Sequence, residues 1–394
     1  MAEKNLNFDI VTERKHTNSL KYDLASRLGK PEGLLPMWVA DMDFKVSSYI
    51  QEALESQVMH GIYGYSEVGE EYFHAVKDWM MTRHNWQVER RWMVKTPGVV
   101  FALAMAVKAY TEEGDGILIQ QPVYYPFRNV IEENGRRTVN SPLLLDENGC
   151  YRMNVQDLEE KIQKEKVKLL FLCNPHNPVG RVWSREELIN LGDICYRHHV
   201  IIVSDEIHSD LIFKGTHYVL ADLKKEYRDI TVTCTSPSKT FNIAGLQVSN
   251  IFIANAKLRK AFRQEINRTG VSGNNGVGLT ACQAAYRYGE EWYQAMLSYV
   301  RANILFVKEY VSEQIPQIKV IETEGTYLVW LDCRALCLND DQLEELIVKK
   351  AGLWLDSGTM FGEEGSGFQR MNVACPRSVL EKALEQLKHA VLMR

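Results

Sequence analysis

The chain contains no Cys-X-X-Cys pair and no Cys/His group at zinc-ligand spacing, although it carries eight cysteines in 394 residues. That excludes the common structural zinc modules, and no metal is expected. Several cysteines lie inside apolar segments, as Cys173 does in Leu169-Leu-Phe-Leu-Cys173. They read as free, buried thiols of a protein kept in a reducing cytoplasm. No apolar run approaches the roughly 20 residues that a membrane span needs. The longest, Val99 to Val107, stops at Lys108, so no membrane partner is expected. The first residues are polar and include an acid, unlike a secretory signal. A basic stripe is also missing: the net charge is -5, and nucleic acid is not an expected partner. The short basic runs Arg136-Arg137 and Lys257 to Arg263 read as solvated faces. Internal repeats, low-complexity tracts and long Gly/Pro/Ser linkers are absent too.

What remains is an ordinary globular composition, 45% hydrophobic and 25% charged, long enough for two or three domains. Continuous apolar runs recur at Gly116–Gln120, Lys168–Cys173, Val200–Ser204, Asp229–Cys234 and Asn250–Ala254. Such runs predict central strands of a mainly parallel sheet covered on both faces. Helical patterns fall between them. Ser184 and Glu187 form a capping box ahead of Leu188, Leu191, Ile194 and Cys195, which share one helical face. A large doubly wound α/β domain is expected over residues 46–290. The last hundred residues change character, with a strand at Thr326–Leu331 and a helix from Val379 to Val391. Between them a helix from Asp341 is expected to put Leu343, Leu346, Ile347 and Lys350 on one side and to stop at Gly352. Residues 291–394 thus form a smaller α+β domain, expected to pack with residues 1–45.

Chemistry concentrates where the predicted strands end. Ser236-Pro-Ser238-Lys239 follows an alternating Thr/Val/Cys strand, so a lysine emerges beside two hydroxyls. That combination suits a Schiff base to a phosphorylated aldehyde. Asp205 ends another strand and points to the carboxyl edge of the sheet, where ligands sit in such folds. A carboxylate there stabilises a protonated pyridine nitrogen, and a protonated ring is the better electron sink. Asn174-Pro-His-Asn177-Pro is a stiff turn that fixes the Asn177 amide as a donor to a phenolate oxygen. Gly98 opens an apolar helix with Val99 and Val100, leaving backbone amides free for an anion, joined by the Ser236 and Ser238 hydroxyls. Tyr124 is positioned to stack on a flat ring and Tyr125 to reach the substrate side. Arg370, in Gly367-Phe-Gln-Arg370-Met-Asn372, has the fork to clamp an α-carboxylate.

Taken together, Asn-Pro-X-X-Pro-X-Gly, Asp-Glu-X-X, Ser-X-Ser-Lys and Arg-X-Asn resemble the fold-type I pyridoxal-phosphate enzymes of the class I/II aminotransferase superfamily, over essentially the whole chain. The resemblance implies pyridoxal 5'-phosphate as cofactor and Lys239 as its Schiff-base lysine. It implies Asp205 on the ring nitrogen, Asn177 on the phenolic oxygen, Tyr124 as the stacking ring and Arg370 as the carboxylate clamp. It also implies a homodimer in which Tyr65, from Tyr63-Gly-Tyr65-Ser, reaches the phosphate of the neighbouring subunit. Within the superfamily the chain is similar to the cystathionine β-lyase branch of bacterial C–S lyases and the maltose-regulon modulator. Trp38-Val-Ala40-Asp-Met-Asp-Phe44 matches that branch's opening motif, with Ala40 on the substrate side. His208 stands where ordinary aminotransferases carry tyrosine, as a cofactor neighbour. Gln247 stands where many of them carry a phosphate-binding arginine.

The activity implied is β-elimination on cystathionine or a cysteine S-conjugate. Lys239, freed by the incoming amino acid, takes the α-proton; its pKa has to fall toward working pH. A thiolate leaves the β-carbon, and hydrolysis yields pyruvate and ammonia. Transamination shares the first proton abstraction and is the nearest alternative. A regulatory protein acting on a transcription activator is the alternative from another class.

Overall fold

The computed structural model describes residues 6–271 and 273–394. Its centre is a seven-stranded sheet: β1 Met93–Thr96, β2 Gly116–Ile119, β3 Arg137–Asn140, β4 Leu169–Cys173, β5 Ile201–Asp205, β6 Thr231–Thr235 and β7 Ser249–Phe252. The spatial order is β1-β7-β6-β5-β4-β2-β3. Pairing is parallel from β3 through β6. β7 runs antiparallel to both β6 and β1. All five apolar runs became strands, and two strands escaped the sequence. β1 is short and interrupted by Lys95, and β3 is half-exposed at the sheet edge, so neither shows an apolar run. β2, β4 and β6 are buried at every position, because helices cover both faces.

The Ser184 capping box forms as expected, with both reciprocal bonds in place at the start of helix Arg185–Arg197. Leu188, Leu191, Ile194 and Cys195 all face the core. Towards the C-terminus a second sheet contains β8 Lys319–Val320, β9 Leu328–Asp332, β10 Asp356–Ser357 and β11 Phe368–Asn372. Helix Arg377–Leu392 buries Leu380, Ala383, Leu384, Leu387 and Val391. Near the N-terminus, Leu35–Pro36 pairs in parallel with Leu353–Trp354, which brings residues 37–45 against β11: Asn372 donates its main-chain N–H to Met37 and its amide to Val39 and Asp41.

One helix differs from expectation. Asp340–Glu345 is α-helical, but Leu346–Lys350 winds as a π-helix. The wider turn puts Val348 inside with Leu343, Leu346 and Ile347, and turns Lys350 out to solvent. Gly352 ends the element at φ 65°, a left-handed conformation that glycine adopts freely.

Candidate active site

The carboxyl ends of β4, β5 and β6 meet the N-terminus of helix Val99–Tyr110 around a cavity of about 220 Å³. Gly98, Val99 and Val100 form one end of its wall, and Tyr124 and Asn177 another part. Asp205, His208, Ser238, Lys239 and Ala40 also line it. Ten of the predicted site residues therefore converge, though the chain separates Ala40 from Lys239 by 199 positions.

Lys239 sits in the turn after β6. Its Nζ donates to the Ala40 carbonyl at 2.6 Å. Burial lowers its pKa to about 8; Asp41 and Asp205 pull it back up, and Arg370 pushes it further down. A lysine so placed yields a neutral amine about two orders of magnitude more readily than one in water. Asp205 ends β5 and is 4% exposed. One Asp205 carboxylate oxygen accepts the Ile207 N–H at 3.2 Å. Burial raises the acid to about 7, against the opposing pull of that N–H and of Lys239. Among the described residues no cation makes a contact ion pair with Asp205, and its carboxyl group faces the cavity. His208 is also buried, and its Nδ1 has no hydrogen-bond partner among the described residues. Burial, then Lys239 and Arg370, hold its pKa well below the ordinary value, so its ring is neutral.

Asn177 is held from two sides. Its Oδ1 accepts from Arg370 Nη1 at 3.0 Å, and its main-chain carbonyl accepts the Tyr124 N–H at 3.0 Å. With the oxygen committed, the NH2 end is left as a donor. Gly98 takes φ 142°, outside the range of L-residues, and lets the helix begin abruptly. The first intrahelical bond is Ala102 N–H to Gly98 O, so the amides of Val99, Val100 and Phe101 carry no helical acceptor. Aligned amides at such an end attract anions.

Four predicted residues do not line this cavity. Ser236 is turned inward: its Oγ donates to Val248 O at 2.7 Å and accepts the Ser238 N–H, so it braces Ser238. Tyr125 packs edge-on against Phe361, with ring centroids 5.9 Å apart. Tyr65 is fully exposed. Arg370 lies behind Asn177, stacked on Phe361 and ion-paired to Asp356, its cross-strand neighbour. A second Nη2 bond reaches Trp38 O at 2.8 Å. Its Nε is buried and has no hydrogen-bond partner among the described residues. Gln247 is exposed and reaches no part of the cavity wall.

Five further wall residues, Pro97, Phe101, Cys173, Ile207 and Ala244, were not predicted, nor were two residues that act from behind the wall. The Tyr327 hydroxyl donates to the same Ala40 carbonyl as Lys239, at 2.9 Å. It lies just before β9, where strand alternation was available to place it inward. Asp356 anchors Arg370 from a two-residue strand too short to register in sequence. In sum, the arrangement offers an amine of lowered basicity, a buried acid lacking a cation and a backbone anion site around one small cavity.

A large, mostly parallel sheet with helices on both faces and a lysine-bearing turn at its carboxyl edge defines the fold of the fold-type I, aspartate-aminotransferase-like proteins. The chain belongs to the aminotransferase class I and II family, which matches residues 40–387. It is 43% identical to the cystathionine β-lyase PatB of Bacillus subtilis, over 98% of this chain and 100% of that one. It is 33% identical to the protein MalY of Escherichia coli, with 98% of each covered. The structure of cystalysin from Treponema denticola, which contains pyridoxal 5'-phosphate, superposes with a TM-score of 0.95 at 38% identity, covering 98% of this chain and 99% of that one.

Proposed function

We propose that this protein is a pyridoxal-phosphate-dependent carbon–sulfur β-lyase that cleaves cystathionine or cysteine S-conjugates to a thiol, pyruvate and ammonia. The observation that carries the reading is the pair Lys239 and Asp205: a buried amine of lowered pKa beside a buried carboxylate without a cation. Similarity to lyases along the full length of the chain supports the same reaction.

The residues fit the cofactor's chemistry. The Asp205 carboxylate is the partner that a protonated pyridine nitrogen needs, and the ring's charge would relieve the cost of burying the acid. Asn177, its oxygen taken by Arg370, presents its NH2 to the phenolic oxygen. Val99, Val100 and Ser238 receive the phosphate, with Ser236 bracing Ser238. Tyr124 supplies a face for the ring. When bound, the cofactor supplies an electron sink for the pair left by the substrate's α-proton.

The chain's own residues do the rest. Arg370 holds the substrate carboxylate, oriented by Asp356 and Trp38 O so that the guanidinium does not swing. Ala40 borders the substrate, and its carbonyl holds Lys239 Nζ near the reacting carbon. Neutral Lys239 takes the α-proton; its lowered pKa keeps enough free base at neutral pH. Tyr125 packs against Phe361, the ring that also lies under the Arg370 guanidinium, and so stands on the side of the carboxylate clamp.

Tyr65 is exposed together with Ile62, Tyr63 and Met59, an apolar group that a second copy of the chain would cover. In that homodimer Tyr65 contributes to the neighbour's phosphate site. The free thiols accord with a cytoplasmic setting.

The test is direct. Cystathionine incubated with the loaded protein should release pyruvate and ammonia without an added oxo-acid. Turnover that requires an oxo-acid acceptor would replace lyase with aminotransferase. Lys239→Ala should abolish the visible absorbance of the loaded protein and turnover alike; a retained band would remove Lys239 from its role.

A further inference from the structure

Loops after β5 and β6 deliver the ionisable groups to the cavity. The first carries Asp205 and His208, and the second carries Ser238 and Lys239. Their relative position sets how far Lys239 Nζ stands from Asp205 and Ala40. One main-chain bond joins them at the base, from Glu206 N–H to Cys234 O at 2.9 Å. Further out a side-chain bond spans the gap: Thr240 Oγ1 donates to Asp210 Oδ2 at 2.7 Å.

Both partners are deeply buried, Thr240 at 0% and Asp210 at 6% exposure. Asp210 is also the end point of three other contacts. Trp79 Nε1 lies 3.2 Å from each of its carboxylate oxygens, and His84 Nε2 lies 3.0 Å from Oδ1. The Tyr293 hydroxyl donates to its main-chain carbonyl at 2.6 Å. Trp79 and His84 belong to helix Glu70–His84, and Tyr293 to helix Glu290–Gln314, so two helices hold Asp210 still. Among the hydrogen bonds that Asp210 makes with described residues, the Thr240 bond is the one that reaches the turn bearing Lys239, and Thr240 is covalently next to Lys239.

We infer that Asp210 and Thr240 are a positioning pair: a carboxylate clamped by two helices fixes the backbone from which the Lys239 side chain starts. A carboxylate serving only the core has no need to bond the residue beside the reactive amine. A shift of about 1 Å at a reacting group is enough to lower turnover roughly 100-fold. The inference rests on Lys239 being the cofactor-bearing lysine.

The test uses the full-length, cofactor-loaded protein. Thr240→Val removes the donor and keeps the shape, Thr240→Ser restores it, and Trp79→Phe removes a different donor from the same carboxylate. Three quantities are read: turnover against KM, the pH midpoint at which the visible band titrates, and the melting temperature. Thr240→Val is expected to lower kcat by about 10- to 100-fold with KM nearly unchanged, and to move the band's midpoint. Thr240→Ser should restore both. Trp79→Phe should lower melting temperature and leave the midpoint in place. The pair is overturned if Thr240→Val lowers only the melting temperature, or if Trp79→Phe moves the midpoint as far as Thr240→Val does. Failure of the underlying reading looks different: there the wild-type band survives Lys239→Ala, whatever Thr240 does.

Discussion

The segment from Asp205 to Asp210 has two faces that treat ionisable groups in opposite ways. On the cavity side, Asp205 has a single backbone donor and His208 has a bare Nδ1. Behind it, Glu206 is met by Ser204 Oγ, His217 Nε2 and the Leu220 N–H, and Asp210 by Trp79, His84 and Thr240. All four are buried, so burial does not separate them. Partners do. Burial carries Asp205 up to about 7, whereas for Asp210 the same penalty is outweighed by its donors, His84 first, and its pKa falls. A protein that satisfies two buried acids and leaves a third short of partners within the same few residues has reserved that third for a ligand.

The largest effect that would break this contrast is on turnover. Asp205→Asn should lower kcat by about 100- to 1,000-fold, the scale of losing one preorganised electrostatic partner. Steady-state pyruvate release measures it, and a loss under tenfold would place the ring's partner elsewhere. Next comes stability. Asp210→Asn should destabilise the cofactor-free protein by about 2–4 kcal/mol at pH 8, measured by urea unfolding, because a charged acceptor for several donors is lost.

The pH dependence follows with opposite signs. Asp205 has a folded pKa near 7, above its unfolded value. Its favourable contribution is complete below pH ~4 and is lost as pH rises through 7. In the cofactor-free protein, Asp205→Asn should therefore raise the melting temperature at pH 8 and change little at pH 4. Asp210 has a depressed folded pKa. Its contribution is present above its unfolded value of ~3.9 and vanishes as pH falls through the folded one, so Asp210→Asn should matter most at pH 8. Melting curves of both variants that move the same way at pH 8 would erase the distinction.

How much of this was open to sequence follows from distance along the chain. Lys239, Asp205, Asn177 and Gly98 each sit at a strand end or helix start that local pattern announces, and all four reach the cavity. The Ser236–Ser238 pair was legible as hydroxyls, but not which of them turns inward; that depends on Val248 O twelve residues away. Arg370 was legible as an arginine in a module, but its place behind Asn177 depends on a contact across 193 positions. Tyr327 and Asp356 were passed over because each acts on a group outside its own element: Tyr327 on Ala40 across 287 positions, and Asp356 on Arg370, 14 positions along, through a strand pairing. In the large sheet the strands missed, β1 and β3, are the two edge strands: β1 is mostly buried but its apolar run is broken by Lys95, and β3 is half-exposed.

His208 gives the smallest effect and the finest division between the two faces. Its ring is neutral, since burial and the neighbouring Lys239 and Arg370 disfavour a second cation. Replacing it therefore removes no charge from the cavity. His208→Tyr substitutes a hydroxyl donor for an imidazole of similar flatness, beside a Tyr327 ring 6.0 Å away. Cofactor affinity should change by less than about tenfold, because a neutral hydrogen bond contributes only about 1 kcal/mol. What should move is partition: the α-carbon electron pair is either spent on expelling the thiolate or reprotonated elsewhere, and a new donor at this point biases that choice. The ratio of pyruvate to transaminated product, measured with and without an oxo-acid acceptor, reports it. An unchanged ratio would place His208 with Glu206 and Asp210 among the groups that build the loop, and leave Asp205 as the one side chain of the segment that faces the chemistry.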